Sequence, residues 1–187
     1  MKNKILAMMI VLFLAIGFAP LQAAEGGGKA IPVITQSFAS KEASPGDTWK
    51  IYLNVVDPNG EMTNIYAVVD QAGSGQYPVS IIRVMKENQK ELSGYIYLST
   101  FHSDSPLNDV NITLTVQVQD RSGDFSQPAV FPLKLNIRSV QEPPPQGIFK
   151  ERALGPVMFK LRKTQDMSRV TIPDPHGFGL FCSQIQS

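Results

Sequence analysis

The sequence predicts an all-β protein: an antiparallel β-sandwich of about seven strands, followed by a proline-rich linker and a C-terminal tail. Three observations carry that prediction. Apolar and polar residues alternate with a period of two through several short runs, as they do in strands buried on one side. Clusters of Gly, Pro, Asn and Asp cut those runs at short intervals, and no stretch repeats with the 3.6-residue period of an amphipathic helix. The chain also holds 14 Gly and 14 Pro, a share that suits a turn-rich sheet protein better than a helical bundle. With 43% hydrophobic and 18% charged residues it has the composition of a chain that folds around a core.

In order, the strands fall at 31–37, 48–56, 62–70, 78–85, 90–100, 110–119 and 127–138. "IPVITQSF" is the first, with Pro32 tolerable near a strand start or on an edge. In "DTWKIYLNVV", Trp49, Ile51, Leu53 and Val55 share one face while Lys50, Tyr52 and Asn54 take the other. "DPNGE" ends that run. "TNIYAVVDQ", "YPVSIIRVM" and "LSGYIYLST" follow, with Gly73, Gly75 and Pro78 breaking between the first two. The cleanest pattern comes next: Val110, Ile112, Leu114, Val116 and Val118 alternate with polar residues, then "DRSGD" intervenes, then Phe131, Leu133, Leu135 and Ile137 alternate again. Two such ribbons joined by a short polar connection make an antiparallel hairpin with one wet face. Pro128 and Pro132 lack an N–H and place its second ribbon at a sheet edge.

The ends have a different character. Residues 1–24 carry Lys2 and Lys4, an apolar run from Ile5 to Ala19, then Pro20 and the small residues Ala23 and Ala24. That is the three-part layout of a secretory signal peptide, with cleavage expected near Ala23 or Ala24. The run is shorter than the ~20 residues a bilayer-spanning helix needs. No later run is long enough either, so the expectation is a mature chain with no transmembrane segment, secreted or periplasmic. Residues 25–30, "EGGGKA", read as a flexible leader. Cys182 is the one cysteine, so no intramolecular disulfide can form and the core must hold the fold.

"QEPPPQG" at 141–147 stops the sheet, because three consecutive prolines favour a stiff polyproline II segment; it reads as a linker. The tail, 148–187, is locally basic, whereas 31–140 holds 8 basic against 11 acidic residues. In it Val157, Phe159 and Leu161 alternate, a hint of one strand. The tail docks on a partner, is disordered, or packs back on its own acidic sandwich. A net charge of +1 for the whole chain advertises no nucleic-acid partner.

With "DPNG" after the second strand and "VQVQDRSGD" leading into the last hairpin, residues 31–140 resemble bacterial immunoglobulin-like or cadherin-like modules. The resemblance implies an immunoglobulin-like sandwich and roles in binding or adhesion. The Cys…Trp…Cys pattern of antibody-type domains and the full cadherin calcium motif are absent.

In such a sandwich the second-to-third and last hairpin loops share one end. That would bring Asp57 and Glu61 near Asp120 and Asp124, and four converging carboxylates call for a cation, with calcium the natural choice. The competing reading is turn chemistry, in which Asp bonds its own backbone and Gly60 and Gly123 supply positive φ. Tyr52, Tyr66, Tyr95 and Tyr97 fall on the faces opposite the core, a surface suited to a protein or glycan partner, or else simple cross-strand packing. Catalysis finds no support. His102 and His176 stand apart, His102, Ser103 and Asp104 are too close in sequence for a triad, and neither HExxH nor GxSxG occurs. The expected function is an exported, non-enzymatic binding module of the bacterial cell envelope, with a calcium-dependent structural or adhesive domain as the alternative.

Overall fold

The structure is a computed structural model that describes residues 30–101 and 109–162. The expected signal peptide, most of the leader, His102, Ser103, Asp104, His176 and Cys182 lie outside the described residues. The strands are β1 (Val33–Ala39), β2 (Glu42–Ala43), β3 (Thr48–Val56), β4 (Met62–Gln71), β5 (Gly75–Gln76), β6 (Ser80–Arg83), β7 (Glu91–Ser99), β8 (Val110–Asp120), β9 (Ala129–Leu135) and β10 (Ala153–Pro156). A 3₁₀ turn, Lys86–Asn88, precedes β7.

Two sheets form. The first runs β1-β3-β7-β10; the second runs β2-β9-β8-β4-β5, with β6 also pairing β4. All seven expected strands are present, and the order is that of an immunoglobulin-like sandwich. Inward residues follow the alternation: Trp49, Ile51, Leu53 and Val55 of β3 meet Ile112, Leu114, Val116 and Val118 of β8 in one core, all essentially inaccessible to water. Each such aliphatic side chain contributes about 1.5–3 kcal/mol when fully buried, so the fold stands without a disulfide.

The first strand is shared between the sheets. After Ala39 the chain crosses at Ser40 and Lys41, and β2 pairs parallel with β9. Trp49 fixes the crossing by donating its indole N–H to Ser40 O at 2.8 Å. From the other side Glu142 N donates to Ser40 Oγ at 2.9 Å.

The described part of the tail is no appendage. Beyond the prolines the chain reverses at Gly147, whose φ is +75°. It then runs back over the first sheet, and β10 adds to the edge of β7 in parallel, with Ala153 opposite Tyr95 and Pro156 opposite Tyr97. Val157 and Leu161 are buried in the core, and Leu154 and Phe159 pack against it. The division at residues 140 and 148 is therefore corrected: residues 148–162 close one side of the sandwich. The alternation at Val157 and Leu161 marks the right inward residues, although β10 itself lies just before them.

Candidate functional site

At one end of the sandwich the two acidic loops do meet. Arg121 N donates to Glu61 O at 2.9 Å, and Thr63 Oγ1 reaches both Gln119 O and Asp120 O at 3.1 Å. Each loop is an Asp-x-x-Gly turn around a buried aspartate. Asp57 accepts Asn59 N on Oδ1 at 3.0 Å and Glu61 N on Oδ2 at 2.7 Å. Asp120 accepts Asp124 N on Oδ1 at 2.9 Å, whereas its buried Oδ2 has no hydrogen-bond partner. Gly60 and Gly123 adopt φ of +70° and +91°, which the turns require. Asp57 and Asp120 thus work as turn formers. Among the described residues no group of three or more His, Cys, Asp or Glu side chains is placed to hold a metal ion, so convergence of the loops does not gather Asp57, Glu61, Asp120 and Asp124 into a ligand set.

The four tyrosines divide between two surfaces instead of forming one. Tyr52, Tyr95 and Tyr97 stand on the outer face of the first sheet, and the chain's own residues 149–151 cover its centre at Tyr52. Tyr52 is only 4% exposed; its ring lies 5.6 Å from that of Phe149 and 5.4 Å from that of Tyr95. Its hydroxyl donates to Glu151 Oε1 at 2.7 Å, and Lys50 Nζ meets Glu151 Oε2 at 3.1 Å. Burial pushes the Tyr52 phenol up, and the Glu151 carboxylate adds to that. Glu151 is held below its ordinary value by the bonds from Tyr52 and Lys50. The expectation that Tyr52 lies open to a partner is corrected: a segment 99 residues away in the chain roofs it.

Tyr66 belongs to the other outer face, that of β6, β4, β8 and β9. Its hydroxyl donates to Gln119 Oε1 at 2.9 Å, and its ring meets Phe125 edge-on at 5.2 Å. Nothing among the described residues covers this face. Register places Ile81 and Gln117 on either side of Tyr66, and Val68 and Val130 on either side of Thr115. Ile81 is 59% exposed, Val130 57% and Val79 50%. The outward residues of β8, namely Asn111, Thr113, Thr115, Gln117 and Gln119, carry no charge. An uncharged centre with exposed apolar side chains is the composition found at the middle of protein interfaces. Sequence reasoning passed over this surface although one signal was present, the absence of charge on the polar side of the 110–119 alternation. Val79 and Val130 gave no signal, since Val79 follows Pro78 and Val130 lies midway between Pro128 and Pro132.

No protein-family profile and no curated protein matches this chain. Among solved structures it is similar to the PKD domain of an M14-like peptidase from a Thermoplasmatales archaeon, at 13% identity and a TM-score of 0.36, over 58% of this chain and 98% of that one. It is also similar to a CARDB domain from Pyrococcus furiosus solved with two metal ions, at 6% identity and a TM-score of 0.32, over 59% of this chain and 97% of that one.

Proposed function

We propose that this chain is an exported, non-enzymatic binding module of the bacterial cell envelope that engages a protein through the open face of its second sheet. One observation carries the reading: the centre of the first sheet's outer face, at Tyr52, is roofed by the chain itself, while the second presents Val79, Ile81, Phe125 and Val130 around an uncharged strand. A surface whose centre is uncharged and partly apolar, with Asp70, Arg83 and Lys134 around it, suits a protein partner of the same character. The N-terminal layout of Lys2, Lys4, an apolar run and Ala23–Ala24 supports export.

The test is site-specific photo-cross-linking in cells that export the protein. A cross-linker at position 81 should capture a discrete protein adduct, and one at position 50, on the roofed face, should not. Equal capture at both positions, or none at 81, sinks the reading. Sequencing the mature N-terminus checks the export step, with a start after Ala23 or Ala24 expected.

A calcium-dependent structural role is the second reading. Its support is Asp120 Oδ2, the one buried side-chain oxygen among the described residues that has no hydrogen-bond partner. Calorimetric titration with calcium, showing neither heat nor a higher melting temperature, removes it.

A further inference from the structure

The edge that receives residues 148–162 is built to read a strand's backbone. Gln71 is fully buried, and its amide pairs with both polar groups of one residue, donating to Arg162 O at 2.6 Å and accepting Arg162 N at 3.1 Å. Ser80, also buried, does the same for Met158, accepting its N–H at 2.9 Å and donating to its carbonyl at 3.3 Å. On β7, Tyr95 N donates to Arg152 O at 2.9 Å, and Tyr97 O accepts Val157 N at 2.7 Å. Two glycines make the close approach possible. A Cβ at Gly94 would lie 2.5 Å from Arg152 O, and one at Gly155 would lie 2.7 Å from Ile82 Cγ2. Between the backbone-reading groups, apolar room takes Val157 and Leu161. This is a slot for an extended segment with apolar residues two or four apart, the arrangement by which a strand is added to a sheet edge.

We infer that the slot also accepts residues 148–162 of a second copy, giving a strand-exchanged dimer. Every contact named above is unchanged when the strand arrives from another chain, so the exchange balance depends on the connection alone. That connection favours opening. Pro143, Pro144 and Pro145 hold a stiff extended arm, and the chain must reverse immediately after it at Gly147, where the surrounding residues are exposed. A short hinge that forces a stiff arm to fold back is the feature that promotes exchange. The closed monomer retains the advantage of its tether, an effective concentration in the ~millimolar range, so exchange grows as protein concentration nears that range.

The experiment mixes two copies of the full chain, one with Tyr95→Cys and one with Ala153→Cys, both with Cys182→Ser and Ile81→Lys. Positions 95 and 153 are register partners. Under oxidation the mixture should yield a covalent heterodimer through 95–153, rising roughly tenfold as the protein is concentrated from about 10 μM to about 1 mM. Ile81→Lys removes association through the open face, so this result is separate from the partner-binding reading. With both cysteines in one chain, the bond should close within the monomer. If that chain closes and the mixed copies never cross-link, the inference is overturned. Deleting Gln146 and Gly147 is an independent reading, since the arm can no longer reverse: sedimentation should then give twice the monomer mass, and a monomer overturns the proposal.

Discussion

The two outer faces of this sandwich begin from the same local pattern and end in opposite conditions. On each, a tyrosine points away from the core in the middle of a central strand, Tyr52 on β3 and Tyr66 on β4. Tyr52 becomes one of the buried residues because Phe149 and Glu151, far along the chain, lie over it. Tyr66 stays half-exposed among Ile81, Gln117 and Phe125. Alternation says which side of a sheet a residue takes, but whether that side meets water depends on what else the chain lays across it.

Removing the cover is the strongest way to break the contrast. Truncation after Gly147 withdraws Val157 and Leu161 from the core, and at about 1.5–3 kcal/mol for each buried aliphatic side chain the loss should be roughly 3–6 kcal/mol. Urea unfolding measures it; an unchanged midpoint would mean the cover is decorative. Next in size is Gly94→Ala. Its methyl group collides with backbone at Arg152 O, which cannot swing aside as a flexible side-chain tip could. A cost of about 1–3 kcal/mol is expected, with loss of exchange protection at the Val157 amide but not at amides of β8.

The tyrosine hydroxyls sharpen the comparison further. Tyr52→Phe removes a bond to a charged acceptor, and since the Glu151 side chain is itself 60% exposed, the expected loss is about 1 kcal/mol. Tyr66→Phe removes a neutral bond on the open face and should cost about 0.5 kcal/mol or less. Equal losses would argue against the difference in environment.

Acid should loosen the roofed face. Glu151 lies below its ordinary value of 4.5 because Tyr52 and Lys50 bond its charged form. Glu87 is lowered as well, chiefly by its own backbone N–H and then by Arg152. A carboxylate lowered by folding stabilises the folded state fully above its unfolded value, and that stabilisation disappears as pH falls through the lowered folded value. Protection of the Tyr95 and Val157 amides, relative to intrinsic exchange, should therefore decline below pH ~4.5. The smallest effect is expected from Ile81→Lys: stability should change by no more than about 0.5 kcal/mol, because the side chain already faces water, while cross-linking to a partner is lost.

Much of the fold was legible in the sequence because strand signals are local. Trp49 through Val55 and Val110 through Val118 announce their buried side by period alone, and "DPNGE" and "DRSGD" announce turns through Asp and Gly. The acidic end was half legible. Its two loops converge as the topology implies, but both Asp57 oxygens are taken by backbone N–H groups, a choice of turn geometry that residue types do not encode. The role of residues 148–162 was the least legible. A parallel edge strand with one short run of pairing carries little period, and Gln71 and Ser80, which hold it, read in sequence as ordinary polar residues near strand ends.

What the sequence determined by itself is the seven principal strands, their inward faces and the turns between them, since each follows from side chains two to five positions apart. What only tertiary structure decided is which outward face is covered, which aspartate keeps an unbonded oxygen, and where the C-terminal segment docks. Those depend on groups brought together from up to about a hundred positions apart, such as Glu151 with Tyr52 or Arg162 with Gln71. Close packing and paired backbone groups select such partners only once the sheets exist to present them.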